Sequence, residues 1–480
     1  MGPAPRRPRR SLPIPRGGFI RRVQDGIDHV ARHSPARLAL TIFASIIAVI
    51  TALLSLPQAT AGDESASFAD ALFTAVSAVC VTGLTVVPTA EYWSNFGQTV
   101  ILVAIKVGGL GIMTLASILA LAISHRIGLT QKMLAASETK EARLGEVGTL
   151  VRAVVIASLV IETVLTLVLV PRFLALGDSI GTAIWHGLFM SISIFNNAGF
   201  VVLVEGIEPL AGDWWFGLPL IFGAAVGALG FPVILDISKS LRHRKRSRRR
   251  SFRVWRTWTL HTKLTLATYS ILAVAGAIAV GALEWGNEAT FGALDPVDRL
   301  LAAGVHSVAP RSSGLATVDI SAMSESTWFV MDALMFVGGG SASTAGGIKV
   351  TTFAVMVLAI VAEARGDRDV EAFGKRIGSS VVRLAVAVAF LGATLVGAGT
   401  LALLLITDFR LGEVLFEVIS AFATVGLTTG ITDQLPDAGK YVLSALMFLG
   451  RTGTISFAAA LALRERRRLI RRPNERPVIG

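Results

Sequence analysis

The chain has 480 residues, of which 53% are hydrophobic and only 16% are charged, and its formal net charge is +12. A soluble protein of this size would carry about 25% charged residues, so the composition excludes an ordinary soluble domain. Several stretches of about 20 residues are nearly free of charge and are long enough to cross a bilayer as helices. We therefore expect an all-α polytopic membrane protein.

The positive charge is concentrated in basic clusters. They lie within residues 1–37, between Lys239 and Arg256, and between Arg464 and Arg476. Because basic segments stay on the cytoplasmic side of a membrane, we expect both termini to be cytoplasmic. These clusters would contact anionic lipid heads or an acidic partner subunit, and we expect no nucleic-acid binding. The single cysteine, Cys80, excludes an intrachain disulfide.

Eight apolar runs predict eight transmembrane helices, at residues 38–57, 96–123, 153–171, 216–237, 264–285, 328–362, 384–407 and 440–463. Between the two runs of each successive pair lies a re-entrant half-helix that is too short to cross the membrane. The four half-helices are predicted at 68–80, 180–195, 296–308 and 412–423. The order helix, half-helix, loop, helix therefore occurs four times. The predicted units are a basic N-terminus 1–37, repeat 1 at 38–124, repeat 2 at 150–238, a basic loop 239–259, repeat 3 at 260–363, repeat 4 at 381–464 and a basic C-terminus 465–480.

Each half-helix is followed by a short segment that ends in glycine. These glycines are Gly83, Gly199, Gly314 and Gly426, which are 116, 115 and 112 residues apart. Backbone carbonyls can replace the water shell of a cation, and glycine tolerates the backbone angles that point successive carbonyls inward. Four such segments predict a pseudo-fourfold cation pore. Its filter residues would be Val81, Thr82, Gly83, Asn197, Ala198, Gly199, Ser312, Ser313, Gly314, Thr424, Val425 and Gly426.

Several of these segments resemble a known family. Cys80–Leu84, Phe195–Phe200 and Pro310–Leu315 look like the first three filters of the Trk/Ktr/HKT potassium transporters. Gly338–Lys349 is similar to the intramembrane gating loop in the third repeat of that family. Leu260–Lys263 resembles the membrane subunit of the bacterial Ktr systems, and the whole resemblance covers roughly residues 38–465.

The resemblance implies potassium uptake, with K+ bound at carbonyls near the four glycines. Many sodium-preferring plant relatives carry serine at the first of these positions, so Gly83 favours potassium. The resemblance also implies a homodimer of pores in the bacterial cytoplasmic membrane. It further implies a cytosolic nucleotide-binding regulatory ring of the KtrA type on the arginine-rich face, and any nucleotide would bind to that partner.

Glycine and small hydroxyl residues interrupt the sixth apolar run. Each glycine costs a helix about 1 kcal/mol relative to alanine, so we expect the helix to break there. The functional interpretation is a flexible loop under the filter that obstructs the pore and moves on activation, and the alternative is a small-residue face for helix packing. The predicted gating residues are Gly338, Gly339, Gly340, Ser341, Ala342, Ser343, Thr344, Ala345, Gly346, Gly347, Lys349 and Arg451.

Two basic residues lie inside predicted spans. Arg451 matches an arginine that the family places in the pore below the filter, where it would set a barrier to cations. A structural contact with helix carbonyls is the alternative, because a buried arginine needs a cavity or a partner. Lys106 departs from the family, which commonly has a neutral residue there. Glu162 and Asp332 are its candidate partners, and its role stays open at this point.

The sequence contains no nucleotide-binding glycine motif, catalytic triad or HExxH motif, so we expect no enzyme and no covalent cofactor. The predicted function is channel-like potassium uptake, passive or stimulated by Na+ as in a symporter. A sodium-selective or non-selective cation channel is one alternative. A secondary transporter with alternating access is another, although such folds usually have two inverted halves.

Overall fold

The computed structural model describes residues 35–62, 64–111, 114, 142–246 and 254–453. The predicted C-terminal segment 465–480 lies outside the described residues, and so do most of the N-terminal segment 1–37 and part of the basic loop 239–259. The C-terminal ends of the predicted spans 96–123 and 440–463 also lie outside them.

The described residues are mainly helical. The helices are α1 Pro35–Leu54, α2 Phe68–Cys80, α3 Thr89–Tyr92, α4 Asn95–Gly111, α5 Ala142–Ala175, α6 Ile180–Asn196, α7 Trp214–Leu229, α8 Phe231–Arg246, α9 Leu260–Glu284, α10 Pro296–Val308, α11 Glu325–Phe336, α12 Val350–Arg365, α13 Ser379–Leu404, α14 Leu411–Ala423 and α15 Asp437–Phe448. A π-helical turn, Leu449–Gly453, continues α15.

Among the described residues, three helices are long and apolar enough to cross a membrane. They are Val151–Ala175, Leu260–Glu284 and Ser379–Leu404, and the bent pair of α7 and α8 would make a fourth. This number is smaller than the eight predicted spans. Some predicted spans run into residues outside the described part, and the sixth is divided between α11 and α12.

The four predicted half-helices are present as α2, α6, α10 and α14. Their bounds differ from the predicted ones by at most one residue at either end. Serine caps the first two, because Ser67 Oγ accepts a hydrogen bond from Asp70 N and Ser179 Oγ accepts one from Thr182 N. The C-terminal half of each half-helix is buried, apart from Gly304 of α10, so its end is fixed by packing in the protein interior.

The helices pack in a cyclic order. Helix α7 packs against the half-helix α10, α11 packs against α14, and α15 packs against α2. The last of these contacts joins the two ends of the described chain and includes an ion pair between Lys440 Nζ and Asp70 Oδ1 at 2.7 Å. The helices that follow the second and third half-helices therefore support the next half-helix along the chain, and the helix that follows the fourth supports the first. Between the first and second repeats, Trp185 Nε1 on α6 donates to Gln98 Oε1 on α4 at 3.1 Å.

The predicted span 216–237 is not a single straight helix, because the helix breaks at Gly230. The axes of α7 and α8 differ by 97°. Gly230 has φ +89°, which does not occur in a right-handed helix, and a Cβ there would lie 2.6 Å from the carbonyl oxygen of Ser341. Phe231 N donates to the carbonyl of Ala342 at 3.2 Å. The bend thus makes room for the glycine-rich segment of repeat 3.

The predicted break within 328–362 is confirmed. Helix α11 ends at Phe336 and α12 begins at Val350. Val337 and Ile348 form a parallel bridge, so the chain leaves the helix, turns and returns beside its starting point. Ala342 and Gly347 are left-handed, with φ values of 56° and 65°.

One short β-hairpin departs from the all-α prediction. Strands β1 Val370–Ala372 and β2 Lys375–Ile377 pair antiparallel between α12 and α13. Phe373 and Gly374 both have positive φ, which is typical of a two-residue hairpin turn. Strands of three residues carry too little alternation to be recognised in the sequence.

The bend at Gly230 leads to a stability prediction. Gly230→Ala would force an L-residue into a strained conformation and press Cβ against Ser341, at a cost of about 1–3 kcal/mol for the backbone alone. We expect a lower Tm of the purified protein. The matched control is Gly286→Ala, where no atom lies within 4 Å of the added Cβ. Equal Tm values for the two variants would contradict this role of Gly230.

Candidate functional site

The four predicted filter segments share one backbone conformation. The residue two positions before the glycine is left-handed in each, with φ 56° at Val81, 57° at Asn197, 102° at Ser312 and 49° at Thr424. The glycine has positive φ as well, 96° at Gly83, 72° at Gly199, 65° at Gly314 and 98° at Gly426. When every second residue is left-handed, successive carbonyls can point to the same side of the chain. Left-handed valine and threonine are strained, and such strain is concentrated at functional sites.

The four glycines form a closed ring in chain order. A Cβ added to Gly83 would lie 2.6 Å from Gly199 Cα, and one added to Gly199 would lie 3.4 Å from the Ser313 carbonyl oxygen. A Cβ on Gly314 would lie 3.0 Å from Gly426 Cα, and one on Gly426 would lie 3.0 Å from Gly83 Cα. Segments that are more than 100 residues apart in sequence therefore meet around one axis. The ring is lined by backbone, and a side chain at any of the four positions would occupy it.

A serine six residues before the glycine supports three of the four segments from behind, although its hydrogen bonds differ between them. Ser77 Oγ donates to Leu84 O at 2.7 Å, Ser193 Oγ donates to Phe200 O at 2.8 Å, and Ser420 Oγ accepts from Gly426 N at 3.1 Å. The third segment differs. Ser307 Oγ donates instead to the carbonyl of Ala273 at 2.5 Å, and a 3-10 turn, Ala309–Arg311, follows α10. The third segment is therefore held by other contacts.

A cavity of about 380 Å³ opens on one side of the ring, and all four glycines line it. Its wall also contains Glu91, Glu208 and Asp319. Three carboxylates around one opening give it a negative potential, which raises the local concentration of cations. The described residues contain no group of three or more His, Cys, Asp or Glu side chains that could hold a metal ion. Any cation at the ring would therefore be bound by carbonyl and hydroxyl oxygens.

Two hydroxyl groups next to the ring have no hydrogen-bond partner within the described part of the chain. They are Thr82 Oγ1 and Ser313 Oγ, and both side chains are fully buried. Buried polar atoms are normally paired, so these oxygens are available to a water molecule or a cation. The other residues at this position, Ala198 and Val425, are apolar and also buried.

The predicted gating segment 338–347 is hydrogen-bonded to the left-handed residues of two filter segments and lies against that of a third, since a Cβ added to Gly346 would lie 2.0 Å from Thr424 Oγ1. Asn197 Nδ2 donates to Thr344 Oγ1 at 2.7 Å. Ser312 Oγ accepts from Gly346 N at 3.1 Å and donates to the Thr424 carbonyl at 2.9 Å. These left-handed residues are absent from the lining of the 380 Å³ cavity, so the segment approaches the ring from the other direction.

Arg451 lies against this segment. Its side chain is 2% exposed, and its Nη1 donates to the carbonyl of Thr344 and, at 3.4 Å, to Thr424 Oγ1. Nε and Nη2 have no partner within the described residues. Lys349, the other predicted gating cation, donates from Nζ to the carbonyl of Ala345 at 2.6 Å. Two positive charges are therefore brought to the segment, and both are bound by carbonyls.

Arg311 is a buried cation to which the sequence reasoning assigned no role. Its guanidinium lies 3.9 Å from the ring centroid of Tyr269. Nη1 donates to the Tyr269 carbonyl at 2.8 Å, and Nη2 donates to the carbonyl of Gly338, where the gating segment begins, at 3.4 Å. An arginine between an apolar half-helix and a filter glycine is a signal that could have been recognised, because intramembrane arginine is costly unless it has a function.

The structure identifies the partner of Lys106. Its ammonium group forms an ion pair with Glu162 and a hydrogen bond with Ser158 Oγ at 2.8 Å. The other oxygen of Glu162 accepts from Asn196 Nδ2 at 2.9 Å. Lys106 therefore pairs with Glu162 and not with Asp332, and the pair fixes the last residue of the half-helix α6.

Comparison with known proteins places this geometry in context. A model of the TrkH family, described as cation transport protein, matches residues 30–468. The chain is 38% identical over 449 residues to the Ktr system potassium uptake protein D of Bacillus subtilis, covering 93% of this chain and 97% of that protein. It is 37% identical over 435 residues to the Ktr system potassium uptake protein B of the same organism, with coverages of 90% and 93%.

The fold is similar to that of a solved structure. The crystal structure of the potassium transporter TrkH from Vibrio parahaemolyticus matches with a TM-score of 0.67, at 16% sequence identity, and the match covers 90% of this chain and 84% of that chain.

The closed ring leads to a prediction about cation flux. Gly426→Ala would place a methyl group against the carbonyl of Thr82 and within 3.0 Å of Gly83 Cα, so we expect uptake of both potassium and sodium to fall to background. Gly430→Ala is the matched control. Gly430 has a similar φ of +89°, but the nearest atom to an added Cβ lies 3.9 Å away. Equal uptake by cells that express the two variants would argue against the ring as the pathway.

Proposed function

This chain belongs to the TrkH family of cation transport proteins, and on that premise we propose that it is the pore-forming subunit of a potassium uptake system. The observation that carries the proposal is the closed ring of the four filter glycines. Two relatives that are named potassium uptake proteins are 38% and 37% identical to this chain, over 93% and 90% of its length. The family consists of transport proteins, which agrees with the lack of a catalytic motif in the sequence.

The proposed pathway is a pseudo-fourfold pore built from repeats 38–124, 150–238, 260–363 and 381–464. The cyclic packing of the helices supports this arrangement, since each half-helix is held by the repeat before it. Helices α2, α6 and α14 end immediately before a left-handed residue, and α10 ends four residues before Ser312, so their C-terminal carbonyl ends converge on the ring. The partial negative charge at these ends stabilises a cation at the centre.

Entry of the ion would begin in the cavity that Glu91, Glu208 and Asp319 line. The carboxylates concentrate cations, and the carbonyls near Gly83, Gly199, Gly314 and Gly426 then replace the water shell of K+. A single well-formed binding site at the ring is consistent with the different chemistry of the four segments. The membrane potential supplies the driving force, about 2.3 kcal/mol per 100 mV for one charge.

The segment 338–349 would act as the gate below the ring. Its backbone is not helical, and it is in contact with the left-handed residues of three filter segments. Arg451 adds a charge that repels cations in a region of low dielectric constant, where electrostatic interactions are strong. Withdrawal of the segment together with Arg451 would open the path to the cytoplasm.

We extend the proposal to assembly, orientation and control. The chain would form a homodimer in the bacterial cytoplasmic membrane, with the basic termini and the loop 239–259 inside the cell. A cytosolic nucleotide-binding ring of the KtrA type would dock on this basic face and move the gate. Na+ would stimulate uptake, and no cofactor would be bound by the chain itself.

Growth of cells that lack their own potassium uptake systems tests the transport proposal. We expect the chain to restore growth at low potassium, and Gly83→Ser and Gly314→Ser to weaken this rescue, because each places a side chain in the ring. Sodium added at equal ionic strength distinguishes a selective from a non-selective pore. Failure to rescue both with and without the regulatory subunit would refute potassium uptake.

Removal of residues 340–345 tests the gate. We expect the deletion to increase potassium flux into proteoliposomes, because the obstruction and the contacts with Asn197 and Arg451 are lost together. Arg451→Ala should increase the flux as well, by removing the repulsive charge. Arg365→Ala, an exposed arginine at the end of α12, serves as the control for loss of one positive charge. Unchanged flux in both gate variants would show that the segment has a packing role only.

A further inference from the structure

The four predicted repeats contribute unequally to the cavity of about 380 Å³ beside the ring. Glu91, Glu208 and Asp319 line it from repeats 1, 2 and 3, whereas the described residues of repeat 4 add no carboxylate to its wall. After its filter glycine, repeat 4 contributes Leu427 and Thr428 to the wall. The fourth repeat has a carboxylate near the cavity as well, but it lies behind the wall.

This carboxylate belongs to Glu417 on the half-helix α14, whose side chain is completely buried. One of its oxygens accepts hydrogen bonds from Thr428 Oγ1 and from Thr429 N, the latter at 3.0 Å. The other oxygen accepts from Thr432 Oγ1 at 3.0 Å. Because the carboxylate is shielded from water, a donor that lost it would be left without a partner or would have to move. Glu417 therefore fastens the cavity wall at Thr428 to the half-helix.

Two successive turns of α14 hold two successive parts of the chain that follows it. Ser420 Oγ accepts from Gly426 N at 3.1 Å and so holds the filter glycine. Glu417, three residues earlier, holds Thr428, which is two residues beyond that glycine. The bond at Ser420 does not depend on the carboxylate. A change at Glu417 therefore acts first on the wall of the cavity and leaves the filter glycine with its own support.

The contacts of Glu417 lie on the side of the ring away from the predicted gating segment 338–347. Thr428 lines the cavity, and no described residue of that segment does so. Within the part of the chain that the structure describes, the hydrogen bonds of Glu417 all go to residues beyond the fourth filter glycine. Withdrawal of the segment would leave these contacts in place, so they are present while ions pass.

We propose that Glu417 is a positioning residue that sets the apparent affinity of the chain for potassium at the cavity. By fastening Thr428 it keeps the fourth side of the wall in place, and the carboxylates of the other three repeats then surround a narrow opening next to the ring. Without this support the wall shifts, and the cavity holds fewer cations at a given outside concentration. The inference rests on the proposed function, since it assumes that ions enter through this cavity.

Glu417→Gln tests the proposal with little change of volume. Initial rates of potassium uptake into proteoliposomes are measured over a range of potassium concentrations, which gives KM and Vmax separately. We expect KM to rise by about threefold or more, the scale of one hydrogen bond. Vmax should stay at the wild-type value, because saturating potassium fills the cavity and the bond between Ser420 and Gly426 is kept.

A second variant acts from the wall. Thr428→Val removes the hydroxyl that donates to Glu417 and keeps the shape of the side chain. We expect the same rise of KM, no further rise in the double variant with Glu417→Gln, and the wild-type KM in Thr428→Ser. Because Thr428 is only partly buried, this variant also provides the test if Glu417→Gln is poorly folded, which the Tm of the purified protein reveals.

Glu284→Gln is the matched control, because it makes the same substitution at another completely buried carboxylate. Glu284 accepts hydrogen bonds from the side chains of four residues, and none of these residues lines the cavity. Its KM should equal that of the wild-type chain, even where its Tm is lower. An equal rise of KM in Glu284→Gln and Glu417→Gln would refute a specific role of Glu417 at the cavity.

Failure of the inference and failure of the proposed function give different results. If the wild-type chain takes up potassium but Glu417→Gln and Thr428→Val leave KM unchanged, or if their effects add in the double variant, the positioning role is refuted and the transport function stands. If the wild-type chain takes up no potassium, the proposed function is refuted, and the role of Glu417 falls with it.

Discussion

The close approach of four backbone segments at one ring is the constraint on which the rest of the structure depends. A Cβ added to Gly83, Gly199, Gly314 or Gly426 would lie less than 3.0 Å from a neighbouring backbone atom, so the ring closes this tightly only with glycine. Each segment passes through a left-handed residue that brings the glycine to the axis. This conformation is strained for Val81 and Thr424, and the buried half-helices and the serine hydroxyls behind the loops hold it in place. The cost of the strain is offset by packing elsewhere in the chain.

The buried charges show a second constraint. Lys106 is paired with a carboxylate, Glu162, and the pair is satisfied further by Ser158 and Asn196, which is the expected form of a structural ion pair. Arg311 and Arg451 are bound instead by carbonyls and, for Arg311, by the face of Tyr269. Their positive charge is therefore not cancelled by an anionic side chain in direct contact. Burying a charge of this kind costs free energy, so a contribution to stability does not explain why these two arginines are present. Their position beside the ring and the predicted gating segment points to a functional role instead.

Much of the fold could be predicted from the sequence, because the relevant signals are local. The half-helices could be predicted because their apolar runs are too short to cross a membrane, and the ring glycines because they recur at a spacing of more than 100 residues. The break after Phe336 could be predicted from the low helix propensity of glycine. The bend at Gly230 could not be predicted, since an isolated glycine in an apolar run is common in membrane helices. Its cause is the carbonyl of Ser341, more than 100 residues away. Glu162 was one of two candidate partners of Lys106, and the sequence offered no basis for choosing between them. The partners of Asn197 and Arg311 were hidden, because each contact joins different repeats or helices.

In a single chain with four unequal repeats, each repeat can carry different side chains at the same position. Identical subunits must all carry the same side chain there. In a ring of identical chains, a polar residue introduced beside the filter would appear four times and would need four partners. Here Asn197 and Ser312 occur once each, and each meets its own partner on the predicted gating segment, which within the described residues interrupts only the predicted repeat 3. Val81 stays apolar in the repeat that has no contact of this kind, while Thr424 faces Arg451 of its own repeat. In the proposed pore, the glycines would preserve a nearly fourfold arrangement of carbonyls around the ion, and the residues two positions before them are free to differ, so that one asymmetric segment would act on a nearly symmetric ring.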